Sequence, residues 1–372
     1  MKKIKIIIFH PYSQIGGADN SLKRLIERLD KGLFSITFVS LNESFLKKDL
    51  KKKVEFIRIK SNRALFSISK FRKIVKKNYL SKKFKKVIVV SNQNFANIIC
   101  YFSLINLSHV KKIFIDRNHL DEFNYYKNFI EKTKKFLIKK LIKIAYPNAD
   151  LVIGISKKLS SDLSKHCNIY VKTIYSPGYD ISVTKKALKK IKLRKSFKYI
   201  VNVSRFTKRK DHFTTLMGFK LASEKIKNLK LILIGYGPEY KNILNLSKKL
   251  NINKKILILK KTKNPYPYIK KSDLLILTSK YEGMGNILVE AITLNKPVIS
   301  SNCNAGPSEI LSNGKGGDLF NVSDYKQLSQ KIVNYFNNPK TLKKKTKFAM
   351  KKLYRFDKIN HAKIYTKIFK NL

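Results

Sequence analysis

Short apolar runs alternate with helical patterns along most of the chain. The runs predict strands over 4–9, 35–41, 54–59, 86–91, 112–116, 151–155, 172–175, 199–204, 230–234, 256–259, 274–278 and 297–300. Apolar spacing between them predicts helices such as 18–29, 213–225, 239–250 and 325–336. Because the strands are almost continuously apolar, the pattern indicates an α/β fold with parallel sheets covered by helices on both faces.

The pattern breaks near residues 176–198, which carry Pro177 and Gly178 followed by a lysine-rich stretch, and then restarts. We therefore expect two doubly wound Rossmann-like domains with an interdomain cleft, over residues 1–176 and 177–355. A last helical segment, 356–372, is expected to pack back on the N-terminal domain. In such folds ligands bind at the carboxyl ends of the strands.

Charge changes this picture little. The chain has 81 basic and 23 acidic residues, a formal net charge of +58. Residues 1–190 and 191–372 each carry a net charge of +29, and this even spread favours a general bias in composition. Two alternatives stay open, a nucleic-acid-binding protein and docking on an anionic membrane. The basic stretches 47–53 and 65–86 are candidates for the second, although the apolar stripe of 65–86 is expected in the core.

The cysteines and the apolar runs exclude several classes. Cys100, Cys167 and Cys303 have neither metal nor redox spacing, which is typical of reduced thiols. The first apolar run is too short for a signal peptide, and no run approaches the roughly 18 residues of a membrane span. Paired histidines and Asp-x-Asp are absent, so we expect no metal site.

The most informative stretch is 279–291, which joins a buried strand to a helix through a loop with two glycines. Glu282 lies in the loop, and Glu290 lies about one turn into a helix that begins near Gly285. Both carboxylates can face one crevice together with the free N–H groups of the helix start, which suits a hydroxyl-rich or anionic ligand. The alternative is a pair of exposed glutamates at chance spacing.

Other loops follow predicted strands and carry candidate ligand groups. Arg205 and Lys210 lie in the basic cluster 203–212, where two cations could neutralise a diphosphate. The alternative is a solvated basic loop. In the segment 116–119, His119 could contact a reacting sugar, and Arg117 could contact an anionic acceptor. The alternative is a loop held by ordinary hydrogen bonds.

Two glycine turns also end predicted strands. Gly235 and Gly237 allow a close approach of backbone to ligand. Gly16 and Gly17, in the motif 14–19, open the first helix, where amides could meet a phosphate. A plain tight turn is the alternative for both. A further loop, 302–310, carries Glu309, which could bind the donor or cap its helix, and we expect the structural role.

In this order the motifs resemble glycosyltransferase family four, which are retaining enzymes of the GT-B fold. The resemblance runs from 16–19 through 146–156, 204–212 and 235–238 to 282–291 and 306–309. It implies that Arg205 and Lys210 hold a donor diphosphate and that Glu290 takes the ribose hydroxyls. The groups implied to meet the sugar are Glu282, His119 and the amides of Met284, Gly285, Asn286 and Ile287. Gly16 and Gly17 would lie against the phosphates.

The resemblance implies a hexose or N-acetylhexosamine donor that is usually UDP-linked, with no metal and no cofactor. Segments 264–268 and 306–309 resemble the subgroup that builds bacterial surface glycans, some on lipid carriers. We therefore expect a cytoplasmic enzyme, peripheral on the inner face of the membrane, with no specific nucleic-acid partner. Lys260 and Asp19 depart from the family pattern. The nearer alternative is another GT-B enzyme, such as a sugar-nucleotide epimerase.

Overall fold

The computed structural model describes residues 2–13, 16–61, 63–126, 128–260, 262 and 264–372. The chain divides into two compact units, one formed by Met1–Pro177 with Lys358–Leu372 and the other by Gly178–Asp357. These boundaries lie one to two residues from those expected from the sequence pattern, 176/177 and 355/356.

The first unit is a parallel sheet with strand order β3-β2-β1-β4-β5-β6-β7 in the described residues. Its strands are β1 (Ile4–Phe9), β2 (Phe34–Ser40), β3 (Val54–Arg58), β4 (Lys86–Asn92), β5 (Lys111–Asp116), β6 (Leu151–Gly154) and β7 (Val171–Thr173). Its helices are α1 (Gly17–Ile26), α2 (Lys47–Leu50), α3 (Ile68–Leu80), α4 (Asn94–Ser103), α5 (Phe129–Ala145), α6 (Lys157–Cys167) and α15 (Lys358–Asn371). Short 3₁₀ turns cover Ala64–Ser67, Leu120–Asn124 and Tyr146–Asn148.

The second unit is also parallel, with order β10-β9-β8-β11-β12-β13. Its strands are β8 (Lys198–Val203), β9 (Leu229–Gly235), β10 (Ile256–Lys260), β11 (Leu274–Leu277), β12 (Val298–Ser301) and β13 (Asp318–Phe320). Its helices are α7 (Ser182–Lys186), α8 (His212–Lys225), α9 (Tyr240–Lys249), α10 (Tyr266–Lys271), α11 (Asn286–Thr293), α12 (Pro307–Ile310), α13 (Tyr325–Asn337) and α14 (Pro339–Met350). Its 3₁₀ turns cover Lys208–Lys210, Asn253–Lys255 and Leu353–Phe356.

The α/β fold class and every strand expected from the apolar runs are confirmed, with ends within two residues. The helix α1 ends at Ile26, three residues before its expected end. The sequence pattern missed β13, in which only Phe320 is buried. This strand begins with Asp318, and the two apolar residues that follow are too short a run to distinguish a strand from a loop.

The central strands are buried on both faces, as helix-covered parallel sheets require. All six residues of β1 are buried, and Ile6 lies in register with Ile36 on one side and Ile88 on the other. In the second unit Gly218 of α8 lets α13 approach closely, because an added Cβ would lie 2.8 Å from Leu328 Cδ2.

Strand order reverses once in each sheet, between β1 and β4 in the first and between β8 and β11 in the second. The loops that leave two such strands turn to opposite faces of the sheet, which opens a crevice at their carboxyl ends. The motifs at 16–19, 116–119, 204–212 and 279–287 all lie at or beside these two points.

The predicted stripe of 65–86 is partly a core element. Phe71 and Val75 of α3 are fully buried, and Ile68 and Tyr79 are half-buried. Leu65 was wrongly placed on the buried face: it lies in the 3₁₀ turn before α3 and is half-exposed. Across the described ranges of the chain, no helix has the length and apolarity needed to cross a bilayer.

A buried carboxyl group lies at the end of β5. Asp116 Oδ2 accepts a hydrogen bond of 2.8 Å from the Tyr146 hydroxyl, which in turn accepts one of 2.9 Å from Asn97. Burial raises the pKa of Asp116 to about 6, and the hydrogen bond from Tyr146 opposes that rise. The folded unit therefore holds this proton more tightly than the unfolded chain does.

This raised pKa predicts a loss of stability as pH rises. The folded state binds the Asp116 proton between its unfolded pKa of about 4 and its folded pKa of about 6, so the stabilisation is complete below that window and lost above it. We expect the free energy of unfolding of the wild type, relative to Asp116→Asn, to fall by about 3 kcal/mol across the window. Urea unfolding at a series of pH values measures this, and parallel profiles would contradict it.

Candidate active site

A buried ion pair lies at the switch point of the second unit. Lys210 Nζ donates to Glu282 Oε1, and the Ser279 hydroxyl donates to the same oxygen at 2.7 Å. The side chains of Lys210 and Glu282 are only 12% and 7% exposed. Lys210 ends the loop after β8 and Glu282 lies in the loop after β11, so the pair joins the two motifs.

Further contacts hold the two loops together. The Lys280 amide donates to the Arg209 carbonyl at 2.9 Å, and the Thr278 hydroxyl donates to the Lys210 carbonyl at 2.9 Å. The guanidinium of Arg209 lies 5.5 Å from the centre of the Tyr281 ring. Main-chain and side-chain contacts thus fix the relative position of both loops before any ligand arrives.

The charge state of Glu282 follows from its surroundings. Burial would raise the pKa of this carboxyl, but the charges of Lys210 and Arg209, with hydrogen bonds from Lys210 and Ser279, outweigh it and lower the pKa to about 2. Glu282 is therefore a carboxylate at neutral pH. It can accept hydrogen bonds from hydroxyl groups and has no proton to donate as a general acid.

The helix α11 follows Glu282 directly. It begins at Asn286, and its cap residue Gly285 has φ of +83°, in the region that favours glycine. Asn286 and Ile287 are half-buried, while Glu290, one turn further on, is buried. The first-turn amides and the Glu290 carboxylate are thus carried by one short helix beside the ion pair.

The loop after β12 supports this helix start. Gly306 has φ of +79°, and a Cβ there would lie 2.3 Å from the Met284 carbonyl oxygen. Met284 itself is buried. The backbones of the two loops are therefore in direct contact, and only glycine fits at residue 306.

Backbone packing explains why residues 235 and 237 are glycines. A Cβ on Gly235 would lie 1.9 Å from the Ser204 carbonyl oxygen, and one on Gly237 would lie 2.3 Å from that of Phe206. The Phe206 amide also donates to the Tyr236 carbonyl at 2.7 Å. The turn after β9 thus packs backbone to backbone against the loop after β8, and donor contact by these glycines stays a prediction.

Arg205 and Lys260 are exposed cations that follow or end strands of this unit. Arg205 follows β8 and its side chain is exposed, unlike that of Lys210 in the same loop. Lys260 ends β10, and its ammonium lies 3.6 Å from the centre of the Tyr240 ring. Arg205 is therefore the cation of the predicted diphosphate pair that solvent reaches most freely.

In the first unit His119 is buried and held by this chain's own groups. Its Nε2 lies 2.6 Å from Asp162 Oδ2, and its Nδ1 accepts from the Asp121 amide at 3.2 Å. With both ring nitrogens engaged, the structure favours the loop-ordering alternative for this conformation. Contact of His119 with a sugar stays a prediction.

The motifs of 16–19 and 116–119 meet at the switch point of the first unit. Arg117 is buried and its Nε donates to Asn92 Oδ1. Asn92 also contacts His10 Nδ1 at 3.1 Å, and His10 Nε2 lies 3.5 Å from Asp19 Oδ2. A chain of four polar side chains therefore links the ends of β1, β4 and β5 to helix α1.

The C-terminal helix α15 covers this chain of polar groups. His361 and Tyr365, one turn apart on α15, are buried with ring centroids 4.7 Å apart. Burial lowers the pKa of His361 to about 3, and the nearby charge of Arg117 adds to the effect. His361 is thus neutral at physiological pH, as its place beside a cation requires.

Both glycines of the predicted motif 14–19 are described. Gly16 caps α1 in an extended conformation and Gly17 is its first residue. Gln14 and Ile15 of the same predicted motif lie outside the described residues. Among the residues that the structure does describe, no cluster of histidine, cysteine, aspartate or glutamate could hold a metal ion.

Comparison with known proteins decides the family. The profile described as Glycosyl transferases group 1 matches residues 183–352. An uncharacterized glycosyltransferase of Methanocaldococcus jannaschii is 30% identical over 306 residues, 77% of this chain and 73% of the relative. The chain belongs to the group 1 glycosyltransferases. A second relative of this glycosyltransferase, from Campylobacter jejuni, is 29% identical over 63% of each chain. Its name is N-acetylgalactosamine-N,N'-diacetylbacillosaminyl-diphospho-undecaprenol 4-alpha-N-acetylgalactosaminyltransferase.

Solved structures agree on the fold of this glycosyltransferase. The crystal structure of HepE from Anabaena, in complex with UDP and glucose, superposes with a TM-score of 0.80 over 99% of this chain and all of that one. The two sequences are 17% identical. Two Rossmann-like units of this kind are the GT-B fold, and that expectation is confirmed.

Several residues that shape the site were not singled out by the sequence. Ser279 and Arg209 lie inside the predicted motifs, and their position next to a strand end was the available signal. Asp162, which contacts His119, lies 43 residues away on α6, and Asn92 lies 25 residues from Arg117. No local pattern connects such pairs, because sheet topology alone brings them together.

The buried pair of this glycosyltransferase predicts non-additive stability effects. Lys210→Met leaves the Glu282 charge buried without its main cation, so we expect a loss of about 3–5 kcal/mol in the free energy of unfolding. Adding Glu282→Gln removes that charge, and the double variant should lose less than the sum of the single losses. Urea unfolding of the wild type, both single variants and the double variant measures the coupling.

A surface pair in the same unit is the matched control. Lys345 contacts Asp318 at 2.6 Å with both side chains partly exposed, and Lys345→Met should cost less than about 1 kcal/mol. Equal losses at the two pairs, or strict additivity at Lys210 and Glu282, would contradict the assignment of a coupled buried pair.

Proposed function

We propose that this protein is a retaining glycosyltransferase that moves a hexose or N-acetylhexosamine from a UDP-sugar to a growing bacterial surface glycan. The observation that carries the proposal is the buried pair of Lys210 and Glu282 beside the start of α11. It brings an ammonium group, carboxylates and the amides of a helix start to one edge of a Rossmann-like unit. A nucleotide-sugar needs these groups, because its diphosphate is anionic and its sugar is rich in hydroxyls.

Two relatives support the choice of donor and acceptor. HepE is described in complex with UDP and glucose, which favours a UDP-sugar. The Campylobacter jejuni relative acts, by its name, on a saccharide carried by diphospho-undecaprenol, which favours a glycan acceptor on a lipid carrier. With such an acceptor the enzyme would work at the inner face of the cytoplasmic membrane, as a peripheral protein.

The proposed roles divide along the second unit. Arg205 and Lys210 hold the donor diphosphate, and Glu290 accepts hydrogen bonds from the ribose hydroxyls. Glu282 and the α11 start orient the sugar; the residues of that start are Met284, Gly285, Asn286 and Ile287. Gly235 and Gly237 shape the adjoining turn. On the first unit Gly16 and Gly17 approach the phosphates, and His119 orders the loop that meets the sugar.

We propose a transfer step that uses these groups. The bond between the sugar C1 and the diphosphate oxygen breaks as the acceptor oxygen bonds to C1 from the same face. The acceptor proton passes to the departing diphosphate, so no side chain has to act as a covalent nucleophile. Arg205, Lys210 and the amides of α11 stabilise the negative charge that develops on the diphosphate.

Side-chain cations and helix amides would take the part that a metal ion plays in other transferases. We therefore propose a reaction that needs neither metal nor cofactor, and no specific nucleic-acid partner. Full transfer in excess EDTA is the expected result. Activity restored only by added Mg²⁺ or Mn²⁺ would contradict this part of the proposal.

Ligand-dependent melting tests the donor before the acceptor is known. UDP and UDP-sugars should raise the melting temperature in proportion to occupancy, and GDP should not. Release of free sugar or its epimer from the donor without any acceptor would point to an epimerase instead. No shift with any UDP compound would sink the proposed donor.

Arg205→Ala tests the proposed charge stabilisation without disturbing the core. The side chain is exposed, so the melting temperature should stay unchanged, while loss of one transition-state cation should lower kcat by a factor of about 10²–10³. Lys208→Ala is the matched control, because Lys208 is an exposed cation of the same loop with no proposed role. Equal activity of the Arg205→Ala variant and the wild type would overturn this role.

A further inference from the structure

The helix α5 presents an unusual face to solvent. Only Ile142 and Ala145 of its 17 residues are buried. Phe129 and Ile130 are each 78% exposed, and Phe136, Leu137 and Ile144 are between 53% and 56% exposed. Contiguous exposed apolar groups of this size are uncommon on monomeric proteins and mark an interaction surface.

These five apolar residues form one stripe. At about 100° per residue they fall within an arc of roughly 120° on the helix, opposite the side that carries Ile142 and Ala145. The helix thus has two apolar faces, a narrow one against α4 and α6 and a wider one toward solvent. Packing within the unit explains the first face and leaves the second without a function.

Lysines surround the exposed stripe. Lys132 and Lys143 lie along one border and Lys134 along the other, all exposed. Lys140 lies within the stripe, with its ammonium 4.6 Å from the centre of the Phe136 ring. The one acidic residue of the helix, Glu131, pairs with Lys135 at 3.1 Å, away from the stripe.

Two aromatic side chains precede the helix. Tyr125 and Tyr126 are both exposed, and the Lys132 ammonium lies 5.6 Å from the Tyr126 ring. Aromatic rings, aliphatic side chains and bordering lysines together are the composition of helices that lie in the interface of an anionic bilayer. A second copy of the chain fits less well, because it would bring two rows of lysines together.

We propose that the α5 surface, formed by Phe129, Ile130, Phe136, Leu137 and Ile144 with their bordering lysines, inserts its apolar stripe into an anionic lipid surface. This inference rests on the proposed function. It names the surface that would bring the enzyme to a lipid-linked acceptor. The stretches 47–53 and 65–86 are weaker candidates. The first forms only the four-residue helix α2, and in the second α3 turns Phe71 and Val75 inward.

The place of α5 in the chain order determines which edge of the first unit would face the lipid. The helix follows β5 and leads to β6, so it begins at the edge where the parallel strands end. Phe129 and Ile130 therefore lie toward the same edge as the loop that carries His119. Lipid insertion at the start of α5 would place that edge of the first unit next to the headgroups.

Vesicle sedimentation of the full chain tests the surface. The probes are vesicles of equal parts phosphatidylglycerol and phosphatidylcholine, and vesicles of phosphatidylcholine alone. A variant with Phe129→Gln, Ile130→Gln, Phe136→Gln and Leu137→Gln keeps helix-forming residues at exposed positions. We expect its partition onto the mixed vesicles to fall by at least about tenfold relative to the wild type.

Two further variants give the test its controls. Replacing Lys132, Lys134, Lys140 and Lys143 by Gln should remove the preference for anionic over neutral vesicles, because the bordering charges are lost. Ile181→Gln with Leu188→Gln changes two exposed apolar residues of the second unit and should leave partition unchanged. UDP-induced melting shifts should be the same in all variants, which separates this result from the outcome for the proposed function.

Three outcomes would overturn the inference. The first is equal vesicle partition of the wild type and the α5 apolar variant, and the second is no binding of the wild type to either vesicle. The third is a dimer in sedimentation velocity that the apolar variant abolishes, which would assign the stripe to a second copy. Vesicle partition is measured without donor or acceptor. It therefore tests the α5 surface even if the protein shows no transfer activity.

Discussion

In the second unit a buried ion pair joins the loops that follow β8 and β11. Lys210 and Glu282 meet where the strand order reverses, and Ser279 shares the same carboxylate oxygen. The loops meet in one further backbone hydrogen bond and one from the Thr278 hydroxyl, and Gly306 lets a third loop contact Met284. Because both charges are buried, neither partner can leave at low cost. The start of α11 is therefore held in one position, with Glu290 one turn behind it.

In the first unit, a different set of interactions fixes the loops at the switch point. Its switch point is filled by a chain of polar groups, from Arg117 through Asn92 and His10 to Asp19, and α15 covers it with His361 and Tyr365. Such a network keeps its shape because each buried group depends on the next for a partner. The two units thus share one topology but differ at their switch points. An ion pair lies at the switch point of the second unit, and a chain of neutral and charged side chains lies at that of the first.

Much of the fold and of the candidate site was predictable. Apolar runs located the strands of the described residues except β13, which begins with Asp318 and has only two apolar residues. Glu282, Glu290, Arg205 and Lys210 were found because loops after strands of a doubly wound sheet converge. Long-range partners were not predictable, because the Asp162 that contacts His119 has no spacing rule to reveal it.

The sequence by itself determined the architecture and the family, because strand periodicity, glycine turns and the order of motifs are local properties of the chain. Only the tertiary structure decided which charges are paired and which apolar residues face outward. Lys210 and Arg205 look equivalent in one basic loop, yet one is buried against Glu282 and the other is exposed. The stripe of α5 has the spacing of a core helix, and its exposure follows from which of its two apolar faces the neighbouring helices cover.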